Sequence, residues 1–267
     1  MKSNEGHISA KDLIETLASK GRYSFTSGEA RAALRVSSDA SKLALNRLAR
    51  QGRIASPARG FYVIVPPEYK SLGCLPAEQF IPDLMNSKGL SYYAGLLTAA
   101  QLYGAAHQRP QEFQVFTEKN RRPIRCGSVR VRFIAKKNID DVVVRKFNTS
   151  RGELKASTPE FTAIDLAGYP QHAGGLDQVA TVLSELAVEM DATALAKAAA
   201  TAPVTWVQRL GYMLELVEAA HIAEGIKEYV DQQAREYTLL VPAAKNDVGE
   251  RLPDWKLIVN TELEPDI

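Results

Sequence analysis

The chain has 267 residues, 45% of them hydrophobic and 24% charged, proportions that exclude a disordered chain and, with no apolar run near the ~20 residues of a membrane helix, a spanning one. Its net charge of +2 hides a polarity: residues 1–70 hold 12 Lys and Arg against 6 Asp and Glu, residues 71–155 hold 14 against 7, and residues 156–267 hold 7 against 18. The basic stretches favour phosphate, whereas the acidic one repels it and suits a protein partner or plain solubility.

The length predicts two or three compact units, the first over residues 1–65. Ser9 to Asp12 is an acidic capping box, with Ile8 and Leu13 placed for a hydrophobic staple, so a helix starts there and ends at Gly21. Thr26 and Glu29 form a second capping box for a short helix through Ala30, Ala33 and Leu34. Arg35 to Ser37 makes the tight turn of a helix-turn-helix unit, and Ser37 or Ser38 caps a third helix that ends near Gly52. Arg53 to Ser56, Pro57 to Gly60 and Phe61 to Val65 then read as strand, turn and strand, which is a wing.

At 100° per residue, Ser41, Ala44, Leu45 and Leu48 fall on the packing side of the third helix, and Asp39, Lys42, Leu43, Asn46 and Arg50 on the other. Asn bonds adenine in a bidentate way, Lys bonds guanine or phosphate, and Leu touches a thymine methyl. Arg59 at the wing tip suits a phosphate or a minor groove. The expected DNA-facing set is Ser38, Asp39, Lys42, Leu43, Asn46, Arg47, Arg50, Arg53 and Arg59. Three helices and a hairpin also mediate protein contacts; the charged outer face, in register with two caps and a short turn, favours duplex DNA.

Pro66-Pro67 stiffens the exit from the wing and suggests a boundary. A basic α/β domain is expected over residues 68–157, with helices at Pro76 to Asn86 and Ser91 to Tyr103 and strands at Glu112 to Thr117, Ser128 to Ala135, Val142 to Phe147 and Glu153 to Ala156. Arg121, Arg122, Arg125, Arg130 and Arg132 crowd it, the last two on one strand face. That face either extends a DNA footprint, binds other nucleic acid, or is an ordinary solvated sheet face. Residues 158–267 read as an acidic, mainly helical domain packing on it, with helices at Leu176 to Glu189, Ala192 to Ala200, Val204 to Ala219 and Ile222 to Ala234, and a strand, Trp255 to Val259, returning to the sheet. The class is α+β: an N-terminal winged helix-turn-helix, then a mixed α/β domain with a helical C-terminal part.

No phosphate-binding loop, zinc-protease motif or nucleophile elbow is present. Gly127-Ser128 followed by Asp140-Asp141 superficially matches a nucleotidyltransferase, but a strand follows the turn where those enzymes need a helix, and adjacent aspartates cannot face one metal. His7, His107, His172 and His221 are scattered, and Cys74 and Cys126, far apart in sequence, read as packing residues. No enzyme, cofactor or metal is expected. The polar start, Met1 to Ser9, lacks the core of a signal peptide, so the cytoplasm is the expected compartment.

The order of features resembles the AbiEi antitoxin family of bacterial type IV toxin-antitoxin systems over nearly the whole chain. It rests on Arg59-Gly60-Phe61-Tyr62, Ser91-Tyr92-Tyr93-Ala94-Gly95-Leu96, Phe113-Gln114-Val115-Phe116-Thr117, Ser157-Thr158-Pro159-Glu160 leading into Ile164-Asp165-Leu166, and Trp255-Lys256-Leu257-Ile258-Val259-Asn260. Phe161 stands where the family usually carries a basic residue. The resemblance implies a repressor that pairs on inverted repeats in its own promoter DNA and counters a nucleotidyltransferase toxin, with or without a stable complex. The competing class is a stand-alone winged-helix transcriptional regulator whose C-terminal domains sense a ligand or dimerise.

Overall fold

The computed structural model describes residues 8–106, 110–242 and 248–266; His7, His107 and Ile267 lie outside them. The chain is mixed α+β, with ten α-helices and three sheets among the described residues. The first elements are α1 (Ala10–Ser19), β1 (Ser24–Thr26), α2 (Ser27–Leu34), α3 (Ser38–Arg50), β2 (Ile54–Ala58), β3 (Phe61–Ile64), α4 (Ala77–Ser87), β4 (Tyr93–Ala94) and α5 (Leu96–Leu102). Next come β5 (Phe113–Thr117), β6 (Ile124–Cys126), β7 (Val129–Ala135), β8 (Val144–Thr149) and β9 (Gly152–Ser157). Last are α6 (Pro159–Gly168), α7 (Leu176–Leu186), α8 (Ala192–Ala199), α9 (Val204–Leu216), α10 (Ala220–Gln233), β10 (Thr238–Leu239), β11 (Glu250–Leu252) and β12 (Leu257–Val259).

Contacts divide the chain into unit 1, residues 1–92, 111–137 and 146–155, and unit 2, residues 93–110, 138–145 and 156–267. Pro66-Pro67 lies inside unit 1, segment 68–157 is shared between the units, and segment 158–267 falls wholly in unit 2. Unit 1 holds 24 Lys and Arg against 11 Asp and Glu, and unit 2 holds 9 against 20, so the compact units keep the polarity that the linear segments show.

In unit 1 both capping boxes form: Ser9 with Asp12 opens α1, and Thr26 with Glu29 opens α2. The Ser9 hydroxyl holds the Asp12 carboxyl below its usual value. Partial burial pushes Glu29 up, but hydrogen bonds from Arg22 and Thr26 outweigh it and leave this carboxyl lowered as well. Arg35 ends α2 in the left-handed region, at φ 52°, and turns the chain into α3.

The turn between β2 and β3 is tighter than the sequence suggests. Only Arg59 and Gly60 separate the strands, and Pro57 and Ala58 belong to β2. The ladder shifts register between Ala55 and Ala58, leaving Pro57, which has no N–H to donate, in a bulge where none is needed. The strand β1, too short to show in the sequence, adds to the other edge of β3, giving the antiparallel order β1-β3-β2.

Side-chain alternation makes β3 the divider between two cores. Ile64 and half-buried Tyr62 join Leu13, Phe25, Leu34, Leu45 and Leu48 of the three-helix side. Phe61 and Val63 point the other way, into a core with Leu75, Phe80, Ile81, Val115 and Phe133. Polar ties follow the same route: Ser24 donates to Asp83 at 2.6 Å, and the Arg151 guanidinium stacks 3.3 Å over the Tyr23 ring while bonding Gln79 at 2.8 Å. Cys74 and Cys126, 52 positions apart, meet in this second core, where their hydrogen bond and burial push the Cys74 thiol far up.

Within unit 1, β5 and β7 pair in parallel, and β6 pairs antiparallel with β7. Gly127, at φ 56°, turns β6 into β7 against the backbone of Leu72, where a Cβ would stand 2.0 Å from the carbonyl oxygen.

Unit 2 is built around α6, whose residues Pro159 to Ala167 are all buried, as expected of a helix surrounded by others. It packs on α5, α7, α8 and α9. Segment Ser91 to Gly95, expected as helix, is extended instead: Tyr93–Ala94 form β4, which pairs in parallel with β9, and the helix starts only at Leu96. The final apolar strand does not return to the larger sheet; β12 lies between β10 and β11 in a small sheet of its own. Trp255, 1% exposed, lies flat against Gly211 of α9, where a Cβ would meet its ring at 2.2 Å. Phe161 is buried, so this position is held by apolar contact.

Candidate nucleic-acid interface

Helix α3 is anchored at its start by the Ser37 hydroxyl, which accepts from the Ala40 amide at 3.2 Å. Ser41, Leu45 and Leu48 are buried and Ala44 half-buried, so the packing side follows the helical period. Ser38, Asp39, Lys42, Leu43, Asn46, Arg47 and Arg50 are exposed. Lys42 and Asp39 lie 3.6 Å apart with both side chains largely in water, a pair too screened to hold the lysine in place. Among the described residues, Asn46, Arg47 and Arg50 have no side-chain partner. Leu43 is 59% exposed in the middle of this polar face.

Arg53 differs from the rest of the set. It pairs with Glu15 at 3.0 Å and ties the start of β2 to α1. Arg59 is exposed at the tip of the β2–β3 turn, beside Gly60 at φ 75°, a conformation glycine adopts without strain. The Gly60 carbonyl accepts from the Ser27 amide at 2.9 Å, fixing the tip to the start of α2.

The five further arginines do not act as one face. Arg130 is half-buried and donates to the carbonyls of Gly127 and Val129 at 2.7 and 3.1 Å, and Arg132 is held by the Glu112 carboxylate. Arg125 is exposed on β6, opposite Arg130. Arg121 and Arg122 instead line a pocket with Arg59 and Lys88. Lys88 was not legible as part of this group, because only the tertiary fold brings the end of α4 to the β2–β3 turn.

In unit 2 the residues that carried the resemblance build a buried polar cluster. The Tyr93 hydroxyl donates to the Asp165 carboxylate at 2.8 Å; burial and that carboxylate push the phenol far above its usual value, so it keeps its proton. Ser157 and Thr162 share a hydrogen bond of 2.7 Å, and Tyr103 donates to the Ser157 carbonyl at 2.9 Å. Burial pushes the Tyr103 hydroxyl up to about 12. Glu160 accepts from the Asp191 amide at 3.1 Å, joining the start of α6 to the start of α8. Tyr93, Ser157, Thr162 and Asp165 are buried, and these bonds hold the helices together. The acidic surface lies elsewhere, on Glu215, Glu218, Glu224, Glu228 and Asp231 of the α9–α10 region.

Gly127-Ser128 is a hairpin turn leading into β7, and Asp140-Asp141 sit exposed in a 3₁₀ turn. Among the described residues no cluster of His, Cys, Asp or Glu is placed to hold a metal ion, and no helix is long and apolar enough to cross a membrane.

Residues 93–216 match the family described as the AbiEi antitoxin C-terminal domain. Comparison with curated protein sequences gives no match. Among solved structures, the RV2827C protein from Mycobacterium tuberculosis is similar, with a TM-score of 0.68 and 17% identity over 93% of this chain and 90% of that one. At that identity the likeness is one of fold.

Proposed function

Residues 93–216 match the AbiEi antitoxin C-terminal domain, and from that match we propose that the chain is an AbiEi-type antitoxin that represses its own promoter. In this reading the α1–α3 and β1–β3 region is a winged helix-turn-helix. Helix α3 enters the major groove, with Asn46 and Lys42 reading base edges, Leu43 touching a thymine methyl and Arg50 on phosphate. The observation that carries it is the exposed side of α3, where Asn46, Arg47 and Arg50 have no partner among the described residues. Unit 1's excess of cations supports the same assignment. Unit 2, acidic and unsuited to phosphate, carries the activity against a nucleotidyltransferase toxin.

Mobility shifts on the DNA upstream of its own gene test the DNA half. Asn46→Ala should relax preference at one base position and cost about 1–3 kcal/mol, while Arg50→Ala weakens binding to every sequence. Two copies should bind an inverted repeat cooperatively, and an inserted half-turn of about 5 base pairs should abolish the cooperativity. Undiminished binding by the Asn46→Ala, Arg50→Ala, Arg59→Ala triple variant would remove this interface. Growth on co-expression of the adjacent toxin gene tests the other half: the triple variant should still rescue cells while losing repression. Loss of rescue in a folded triple variant would join the two activities and favour a plain transcription factor.

A further inference from the structure

Behind the wing, unit 1 contains a pocket of about 460 Å³. Its rim carries Arg59 from the wing tip, Lys88 from the end of α4, and Arg121 and Arg122 from the segment before β6. Its floor is apolar, formed by the buried residues Leu84, Met85, Ile124 and Phe133. Among the described residues none of the four cations pairs with a carboxylate. That separates them from Arg130 and Arg132, which the protein satisfies internally.

Four like charges converging on one concavity repel one another, and an anion relieves that repulsion. The apolar floor excludes water beneath them and strengthens the attraction. Pro57 and Pro123 stand in the walls; their fixed φ angles limit the backbone freedom that is given up when the side chains engage a ligand. Arg59 belongs both to the pocket and to the wing. A phosphate that reaches Arg59 at the turn therefore also lies beside this rim.

We propose that the pocket seats a backbone phosphate of DNA flanking the segment engaged by α3, so that Lys88, Arg121 and Arg122 extend the footprint beyond the wing. The proposal rests on the DNA reading above and adds to it residues that lie outside the wing and α3.

The test uses the full chain and a mixed-sequence duplex of about 24 base pairs, roughly two helical turns, titrated with salt. Removing one cation from a phosphate should lower the slope of log K against log salt by about 0.9. The Lys88→Ala, Arg121→Ala, Arg122→Ala variant, having lost the one phosphate that the pocket seats, should drop about 0.9 units of slope and about tenfold in affinity near 50 mM salt. The charge-conserving Lys88→Arg, Arg121→Lys, Arg122→Lys variant should stay within about twofold of the parent chain, because a phosphate asks chiefly for charge. An unchanged slope in the alanine variant would overturn the proposal, as would an equal fall in the two variants.

Asn46→Ala with Arg50→Ala, measured in parallel, separates the two readings. If the parent chain binds the duplex and only the α3 pair weakens it, the DNA reading stands and the pocket falls; if the parent chain binds no duplex, both fall. Calorimetry with adenosine monophosphate examines the other source of phosphate. Tight binding of that nucleotide, abolished in the alanine variant while the slope is unchanged, would make the pocket a small-phosphate site and overturn the assignment to DNA.

Discussion

In unit 1 the polar chemistry faces outward: Asn46, Arg47, Arg50 and Arg59 stand in solvent, and the side chains that hold them up are buried on the opposite faces of their own elements. In unit 2 the most constrained polar groups face inward. Tyr93 donates to Asp165, Ser157 pairs with Thr162, and Thr162 also bonds the Thr158 carbonyl, while Glu215, Glu218 and Glu224 lie on the surface. The contrast separates two uses of a polar residue. An unpaired exposed cation costs little to keep and is available to a ligand, whereas a buried acid is tolerable only when its bonds are satisfied.

The largest effects expected from breaking this contrast come from two of its tightest glycines, one in each unit. Gly127→Ala puts a Cβ 2.0 Å from the Leu72 carbonyl at a positive φ, and Gly211→Ala drives one into the Trp255 ring. Each should cost on the order of 4 kcal/mol. Hydrogen exchange should show Gly127→Ala opening unit 1 with loss of DNA binding, and Gly211→Ala opening unit 2 with loss of toxin protection. Parallel loss of both activities in either variant would mean that the units fold as one cooperative body.

Tyr93→Phe sharpens the comparison from inside unit 2. It removes a donor from the buried Asp165 carboxylate and should lower stability by about 1–3 kcal/mol in urea titration. DNA affinity of the folded variant should be unchanged. A fall in DNA affinity without unfolding would tie this cluster to the other unit's function.

Thr26→Ala has the smallest expected effect, about 1 kcal/mol from the loss of a helix cap. Asp12 and Glu29 both have lowered folded-state carboxyl values. Their stabilisation is therefore present above the ordinary carboxylate range and lost as pH falls through the folded values. Thr26 supplies part of that lowering for Glu29, so acid unfolding of Thr26→Ala should begin at slightly higher pH than in the parent chain. Identical acid midpoints would show that the Arg22 pair alone sets the Glu29 value.

The caps, α3's two sides and most helix spans were legible because each is set by residues within a turn or two of one another, as Ser9 with Asp12 and Leu45 with Leu48 illustrate. What was not legible depends on distant partners. Three-residue strands such as β1 and β6 carry too little pattern to see, and segment Ser91 to Gly95 has an acceptable helical composition that its tertiary partners override. The α3 residues could be named from periodicity, but Lys88, and the internal satisfaction of Arg130 and Arg132, required the fold. Pro66-Pro67 has the chemistry of a linker; the role of Phe61 and Val63 just before it is set by residues 74 to 133.

The divided loyalty of β3 has a consequence for synthesis. On the ribosome, the side chains of Phe61 and Val63 emerge before the other buried residues of their core, which begin at Cys74, and the last of those, Phe133, follows 72 and 70 positions later. At roughly 5–20 residues per second, the nascent strand carries a bare apolar face for several seconds. Tyr93 likewise emerges well before the Asp165 to which it donates. A chain stopped just after β3 therefore ends as a sheet with one face open to chaperones and neighbouring chains, and the last stretch of unit 1, through Lys155, must be made before that unit is complete.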